Sequence, residues 1–390
     1  MNVMKKRKSP KIRILELSMG GVYHGGVNVG LIEVMARVFP DLDIVFRSER
    51  LHAESVKKRK TTDKEVDYSP WRYFPPVSLK TIFFRDAWGC LYGIGEFLRS
   101  KKNDVIFITN LLPFAHRWLC FLNRLFRREL FICLHGQLEA LLPGSPLGKT
   151  KRYFGLHRRI LKTDDRSHYI VLGEPVFEEV KSLFSSRSRV IVIDHPYDYD
   201  SAPSELPSYA LPLRFGQIGT GNSGKGTQRL FELAALLRPE IEARELEFHL
   251  IGRLDSRSTP LGNGLVNTSD HSLSDERFRK KIENLHYTLF LRGKDEARGV
   301  PSGSFFDAVK VGKPYLSLEN GFVAHYHKRF PGTGSLFPTM EEMAKYIRQQ
   351  IAAVEAGGFG YDQQVKAFVV MREALSGECI AETFCKQLKP

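Results

Sequence analysis

Short apolar runs alternate with helical patterns along both halves of this chain, and this alternation is the feature that most limits its fold. The runs in the first half lie at 11–17, 41–46, 104–109, 129–134, 167–172 and 189–193, and those in the second half at 214–218, 247–251, 287–291 and 315–319. Strands separated by helices build parallel sheets that are covered on both faces. The sequence therefore predicts an α/β protein with two doubly wound domains.

The stretch 202–212, which reads APSELPSYALP, separates the two sets of runs. It contains three prolines, a composition typical of a linker. We predict one domain over 1–205, a second over 206–365 and a helical tail over 366–390, for which a return to the N-terminal domain is one option. A chain of 390 residues is long enough for two domains with separate cores.

Two junctions between a loop and a helix stand out in the second half. Residues 298–314 read RGVPSGSFFDAVKVGKP, in which Ser302-Gly303-Ser304 precedes a helical pattern. The start of such a helix offers unpaired backbone N–H groups and the positive end of the helix dipole to an anion. Residues 213–237 hold an extended segment, a glycine-rich loop with Lys225 and an amphipathic helix. The pair predicts one phosphate-bearing ligand held between the junctions, although ordinary helix caps would show the same residues.

The first half offers weaker candidates. Gly25 and Gly26 follow the first predicted strand, where glycine lets a ligand approach the backbone closely. His135 follows the run 129–134, and open α/β sheets place their functional groups at that end of a strand. A purely structural histidine is the alternative.

The pattern over 114–128 predicts a helix with two distinct faces. An apolar face packed in the core, with a solvated basic face opposite, is the expected arrangement. A helix lying in a membrane interface is the alternative, because such helices combine tryptophan with arginine. The apolar positions are Phe114, Trp118, Phe121, Leu122 and Leu125, and the basic positions are Arg117, Arg124 and Arg128.

The net charge of +14 and the pI near 9.5 favour an anionic partner, whether nucleic acid, acidic lipid or a phosphorylated substrate. Charge is the only feature that supports nucleic acid, so no nucleic-acid partner is expected. The five cysteines show neither a CxxC pair nor zinc spacing, which indicates a reducing compartment and no metal site. Apolar runs stay well short of the ~20 residues of a membrane span. We expect a cytoplasmic protein, with peripheral contact at the inner face of the cell membrane left open.

One motif competes with the phosphate-junction interpretation. Residues 219–225, GTGNSGK, match the first seven positions of the P-loop pattern. The eighth position is Gly226, so the hydroxyl that would hold magnesium is missing there. A nucleotide-binding hydrolase or kinase is therefore the second candidate.

The residues above resemble the GT-B glycosyltransferases, and in particular their large retaining group that uses nucleotide sugars. The segment FGQIGTGNSGKGTQRLFELAALL is similar to the strand, Lys-Gly loop and helix that open the second domain in that family, and SGSFFDAVKVGKP is similar to the second half of its donor-binding stretch. Gly25-Gly26 resembles its glycine loop and His135 its strand-end histidine. The likeness covers most of the chain in order.

Three positions depart from the family pattern. Asp307 stands where the second glutamate of the donor stretch would be, and Gly299 stands where the first would be. Thr220 replaces an arginine that the family places five residues before the loop lysine. The donor sugar and the retaining outcome are the properties that these departures affect.

The resemblance implies two Rossmann-like domains facing across a cleft and a sugar transfer from a nucleoside-diphosphate sugar. The acceptor would be a glycan or a lipid-linked molecule, in bacterial envelope polysaccharide or glycoconjugate biosynthesis, with no cofactor and no metal. His135 and Asp307 are the implied catalytic residues. The implied donor-binding residues are Gly25, Gly26, Gly219, Thr220, Lys225, Arg253, Arg298, Ser302, Gly303 and Ser304.

Overall fold

The chain forms two compact units in the computed structural model. The structure describes residues 9–21, 24–59, 62–78, 80–143, 151–199, 207–254, 264–269, 273–357 and 362–388. The first unit contains 1–198, 299–301 and 375–390, and the second contains 199–298 and 302–374. The predicted boundary at 205/206 lies outside the described residues. The part of the predicted tail up to Ala374 belongs to the second unit, and the remainder belongs to the first.

A parallel sheet forms the centre of the first unit. Its described strands are β1 (Lys11–Glu16), β2 (Asp43–Arg47), β3 (Val66–Tyr68), β4 (Val105–Asn110), β5 (Glu129–Leu134), β6 (His168–Leu172) and β7 (Arg189–Ile193). They are ordered β3-β2-β1-β4-β5-β6-β7. All residues of β4 are buried, as expected for a strand covered by helices on both faces.

Helices cover both faces of this sheet. They are α1 (Gly25–Val38), α2 (Arg50–Lys58), α3 (Ile82–Arg99), α4 (Pro113–Phe126), α5 (Lys151–Thr163), α6 (Glu174–Val180) and, from the end of the chain, the helix Gly377–Leu388, here α14. Right-handed crossovers place α1 and α2 on one face and α3, α4 and α5 on the other. The last helix packs against α1 and contributes Ile380, Ala381 and Phe384 to the core.

The second unit repeats the same plan. Its described strands are β8 (Leu213–Ile218), β9 (Leu246–Arg253), β10 (Val266–Ser269), β11 (Tyr287–Phe290), β12 (Tyr315–Leu318) and β13 (Gly334–Phe337). Its described helices are α7 (Thr227–Leu236), α8 (Arg238–Glu242), α9 (Asp275–Glu283), α10 (Gly303–Val311), α11 (Gly321–Arg329), α12 (Met340–Glu355) and α13 (Asp362–Ala374). The strands are ordered β10-β9-β8-β11-β12-β13 and are parallel.

The strand order reverses direction once in each sheet. In the first unit the reversal lies between β1 and β4, and in the second it lies between β8 and β11. Open α/β sheets bind ligands beyond the carboxyl ends of the strands at this point, because the crossovers on the two sides leave in opposite directions and open a crevice. The predicted α/β class with two doubly wound units is confirmed.

Two local expectations differ from the structure. Gly25 and Gly26 do not form a loop but are the first two residues of α1, and both are buried. The apolar face of α4 does not pack in the core: Phe114, Trp118 and Phe121 are exposed. The buried side of α4 is instead made of Pro113, Ala115, His116, Leu119, Cys120 and Asn123. The core accommodates these smaller or hydrogen-bonded side chains, and the aromatic side chains of α4 are directed away from the sheet.

Candidate functional site

A pocket lies in the second unit at the carboxyl ends of β8 and β11, where the strand order reverses. Its walls come from those two strands, the loop after β8, the residues after β11, the start of α10 and the start of α11. The lining residues are Gln217, Ile218, Lys225, Leu289, Phe290, Leu291, Arg292, Glu296, Ala297, Ser302, Ser304, Asn320, Phe322 and Val323. Both junctions singled out in the sequence therefore contribute to one pocket.

Lys225 places its ammonium group in this pocket. Its Nζ donates to the carbonyl oxygen of Ile218 at 3.1 Å and to Oγ of Ser304 at 3.4 Å. Burial, together with the positive charge of Arg292, lowers the pKa of Lys225 to about 8, and Asp307 opposes that shift. A buried ammonium group at the carboxyl end of a strand, held by two neutral oxygens, is suited to an anionic ligand.

The glycine at position 219 makes room for this ammonium group. Gly219 has a φ of +88°, and a Cβ built there would lie 2.3 Å from Nζ of Lys225. Any larger residue would displace the lysine side chain. Gly219 thus contributes to the site because it has no side chain. Thr220 is exposed and does not line the pocket.

Helix α10 directs its N-terminus at the same pocket. Its cap residue is Ser302, whose carbonyl accepts from the N–H groups of Phe305 at 3.0 Å and Phe306 at 3.4 Å. The N–H groups of Gly303 and Ser304 precede the first intrahelical donor, so they remain directed outward from the helix end. The hydroxyls of Ser302 and Ser304 lie 3.4 Å apart. The N–H groups at the start of a helix, with two hydroxyls and a lysine ammonium nearby, form a site of the kind that binds phosphate.

Arg292 and Glu296 complete the polar part of the lining. Nε of Arg292 donates to the carbonyl of Gly224 at 2.9 Å, which ties the loop after β8 to the end of β11. The carboxylate of Glu296 accepts from both Nη atoms of Arg229, at 2.8 and 3.0 Å. Because Arg229 neutralises this carboxylate, Lys225 and Arg292 leave the pocket with positive character.

Arg292 was not predicted from the sequence. It follows β11 by two residues and so lies at the end of a strand, as His135 does after β5. Gln217 and Asn320 also line the pocket without having been predicted. Arg253 and Arg298, which were predicted as donor-binding residues, lie in the second unit but do not line the pocket.

Asp307 lies on α10 one turn beyond Ser304 and acts electrostatically on Lys225. It does not line the pocket. Its position beside the lysine is set by the helix, since residues three apart share one face of an α-helix.

The loop after β8 lacks the features of a P-loop. Gly226 has a φ of +68°, and a Cβ there would lie 2.1 Å from the carbonyl oxygen of Leu291, so neither serine nor threonine fits at the eighth motif position. The neighbouring Thr227 hydroxyl is buried and donates to Oε1 of Gln217 at 2.8 Å. The hydroxyl next to the eighth motif position is thus committed within the unit, and the P-loop interpretation is not favoured.

His135 belongs to a cluster of three histidines in the first unit. Its ring stacks on that of His24 at 4.9 Å between centroids and meets His195 edge-on at 5.8 Å. Burial and the two neighbouring histidines hold the pKa of His135 well below its usual range, so the imidazole is neutral at physiological pH. Its backbone N–H donates to Oε1 of Gln137 at 2.9 Å, which fixes the turn after β5.

Gly25 and Gly26 lie beside the same cluster, because His24 is the N-cap residue of α1 with a φ of 61°. A Cβ on Gly26 would meet Oδ1 of Asp198 and the ring of Tyr197 at 3.1 Å. Close packing of α1 on residues 197–198 thus explains glycine at this position. Gly25 and Gly26 lie in the first unit, and the Lys225 pocket in the second.

Among the described residues, no group of three or more His, Cys, Asp or Glu side chains is arranged to hold a metal ion. No helix in that part of the chain has the length and apolar character needed to cross a membrane.

Solved structures resemble this chain over nearly its full length. A crystal structure of HepE from Anabaena in complex with UDP-glucose matches with a TM-score of 0.66 and 15% identity, covering 97% of this chain and 99% of that one. Sucrose-phosphate synthase from Thermosynechococcus elongatus matches with a TM-score of 0.64 and 11% identity over 97% and 98%. The lipopolysaccharide outer core galactosyltransferase WaaB matches with 0.58 and 14% over 97% and 99%.

Sequence comparison alone finds none of this likeness. No family model matches the chain, and no curated protein does. At identities of 11–15% the structural matches establish the fold only. That fold agrees with the two parallel sheets of this chain. The chain therefore has the GT-B fold, with two Rossmann-like units.

Proposed function

We propose that this protein is a glycosyltransferase that moves a sugar from a nucleoside-diphosphate sugar to an acceptor. The observation that carries the proposal is the convergence of Lys225, Arg292 and the N-terminus of α10 on one pocket of the second unit. HepE, whose solved structures include complexes with UDP and UDP-glucose, supports the choice of ligand because it shares the fold.

The diphosphate of the donor would occupy the positive end of the pocket. When the bond between the anomeric carbon and the diphosphate breaks, negative charge grows on the leaving phosphate oxygens. Lys225 would donate to these oxygens, and the N–H groups of Gly303 and Ser304 would do the same from the helix end. Removing one such preorganised donor typically costs ~10²–10³ in turnover.

The charge on the leaving group could be stabilised in this way without a metal ion, and we propose that the reaction is metal-independent. Lys225 and Arg292 would together supply two positive charges, about the charge of a divalent cation. The retaining outcome is proposed from the resemblance of the donor stretch alone. Asp307 would bond donor hydroxyls, and Arg253 and Arg298 remain proposed as additional positive charges for the donor.

His135 is proposed to act at the reacting end of the sugar. A neutral imidazole can accept a hydrogen bond, whereas it cannot stabilise charge as a cation would. Since the pKa of His135 lies well below its usual range, it would be available as an acceptor at neutral pH. The Gly25-Gly26 start of α1 is proposed as a place where a ligand approaches the first unit closely. The acceptor is proposed to be a glycan or a lipid-linked molecule of envelope polysaccharide or glycoconjugate biosynthesis, and the protein to be cytoplasmic.

The direct test is release of nucleoside diphosphate from a panel of UDP-, GDP- and ADP-sugars, with EDTA or with Mg²⁺, in the presence of simple sugar acceptors. We expect one donor class to release its diphosphate in EDTA, with the nucleotide of the other classes unchanged. Proton NMR of the product would report whether the anomeric configuration is retained. Hydrolysis of ATP or GTP only with Mg²⁺, and no release from any sugar nucleotide, would contradict the proposal.

A further inference from the structure

Helices α3 and α4 present an aromatic surface to solvent. Ten of the sixteen large apolar side chains that are exposed in the described part of the chain lie on these two helices. We define them as the aromatic face: Phe83, Phe84, Trp88, Leu91 and Leu98 of α3, with Phe114, Trp118, Phe121, Leu125 and Phe126 of α4. A soluble domain rarely leaves so many large apolar groups together on its surface unless the surface binds something.

The amphipathic pattern of α3 is inverted. All eighteen of its residues are described, and its exposed positions are apolar except for Arg99. Its other charged residues, Arg85, Asp86 and Glu96, are buried. A helix that merely covers a sheet shows the opposite arrangement, so the outer side of α3 is shaped for contact with an apolar environment.

The two helices lie side by side and hold one surface together. At their N-terminal ends, the carboxylate of Asp86 accepts from the backbone N–H groups of Phe114 at 2.7 Å and Ala115 at 2.9 Å. At their C-terminal ends, the rings of Phe97 and Phe126 meet at 6.1 Å. Both contacts join equivalent ends, so α3 and α4 run in the same direction and their outer sides form one continuous face.

Basic residues border this face on the side of α4 and α5. Arg117 and Arg124 are exposed and stand beside the aromatic positions of α4. Helix α5 packs beside α4, and its exposed residues include Arg152, Arg158, Arg159 and Lys162. The sequences of α4 and α5 contain neither aspartate nor glutamate.

From these observations we propose that the aromatic face docks the protein on an anionic phospholipid bilayer, with α3 and α4 lying in the plane of the interface. Aromatic side chains favour the boundary between head groups and acyl chains. Arginine and lysine at the border would bind the phosphates of anionic head groups. Apolar burial and charge attraction would thus act at the same surface.

A second copy of the chain fits the aromatic face less well than an anionic bilayer does. A symmetric dimer sets the same patch against itself. The arginine-rich border of one copy would then face that of the other, and α4 and α5 offer no acidic residue to pair with it. The net charge of +14 adds to that repulsion, whereas it attracts a negatively charged bilayer.

The position of the tryptophans provides a readout. Two of the three tryptophans, Trp88 and Trp118, lie on the aromatic face, while Trp71 is buried with 5% of its surface exposed. With vesicles of phosphatidylglycerol and phosphatidylcholine in equal amounts, we expect the wild-type protein to float with the vesicles. Its tryptophan emission should shift to the blue and be quenched by brominated acyl chains. Pure phosphatidylcholine vesicles should bind at least tenfold less.

Variants distinguish specific binding through the aromatic face from non-specific adsorption of the protein to vesicles. The double variant Phe84→Ser with Phe121→Ser changes two exposed side chains and is expected to lower vesicle partitioning at least tenfold, with an unchanged circular dichroism melt. Arg117→Ser should weaken binding to the anionic vesicles and reduce its salt dependence. The matched control is Val370→Ser on α13, a change of an exposed apolar residue in the second unit, which should bind as the wild type does.

Three results would overturn the proposal. One is equal binding of the double variant and the wild type. Another is equal binding to anionic and neutral vesicles. The third is a wild-type protein that stays off the vesicles and forms a dimer by light scattering, which the double variant abolishes. Donor turnover without vesicles is measured separately, so failure of membrane docking is distinguishable from failure of the proposed activity.

Discussion

Replacing Lys225 with methionine is expected to lower kcat/KM for the nucleotide-sugar donor by ~10³ while leaving the fold intact. Methionine keeps most of the length of the side chain and removes the ammonium group that lies near Ser304 in the pocket. The loss concerns charge that grows in the transition state, so kcat should fall more than donor affinity. Steady-state kinetics with the donor identified by the diphosphate-release assay would measure it.

The stability of the Lys225→Met protein should stay close to that of the wild type. The lowered pKa of Lys225 means that the fold disfavours its charged form, and methionine is easily accommodated. Lys345→Met, at an exposed position of α12, is the control and should retain full activity. If the Lys225→Met protein kept the kcat/KM of the wild type, Lys225 would have no role in the donor site.

Substituting Gly226 with alanine is expected to lower the free energy of unfolding of the second unit by roughly 3 kcal/mol. Two costs combine at this position. A φ of +68° disfavours any residue with a Cβ, and that Cβ would lie 2.1 Å from the carbonyl oxygen of Leu291. The conflict would force apart the loop before α7 and the end of β11, whose residues Lys225 and Leu291 line the pocket.

Gly224→Ala is the matched control two residues earlier. The nearest atom to a Cβ at Gly224 is Oδ1 of Asn222 at 3.4 Å, an ordinary contact. Urea unfolding, with hydrogen exchange of the β8 and α7 amides to isolate the second unit, would compare the two variants. Equal stabilities for the two alanine variants would show that the loop after β8 does not have the backbone described here.

The fold could be predicted from the sequence because the apolar runs are strong and regular. Strands such as β4 and β5 are continuous apolar segments that only a doubly covered sheet can bury. The edge strands β3, β10 and β13 were not predicted, because short segments at a sheet edge carry little apolar signal. Gly25 and Gly26 were assigned to a loop because glycine weakens a helical pattern. At Gly26, close packing of α1 against Tyr197 and Asp198 leaves little room for a side chain.

The candidate site was predictable only in part. Lys225, Ser302 and Ser304 could be identified because loops at helix starts carry a local signature of small residues and glycine. Arg292 and Asn320 lack such a signature, and their role depends on which strands become neighbours in the sheet. The outer side of α4 was misassigned for the same reason, since periodicity shows that a helix has an apolar face without showing what that face contacts.

The most direct test of the central claim is calorimetric titration of the cognate nucleoside diphosphate at pH 7 and at pH 9, in EDTA. Burial and Arg292 lower the pKa of Lys225 to about 8, so its ammonium is mostly protonated at pH 7 and mostly neutral at pH 9, while the diphosphate stays ionised. We predict an association constant about 10-fold lower at pH 9, and no such change in the Lys225→Met protein. Equal affinity at both pH values in the wild type, or the same loss in the variant, would contradict the assignment of Lys225 to the diphosphate.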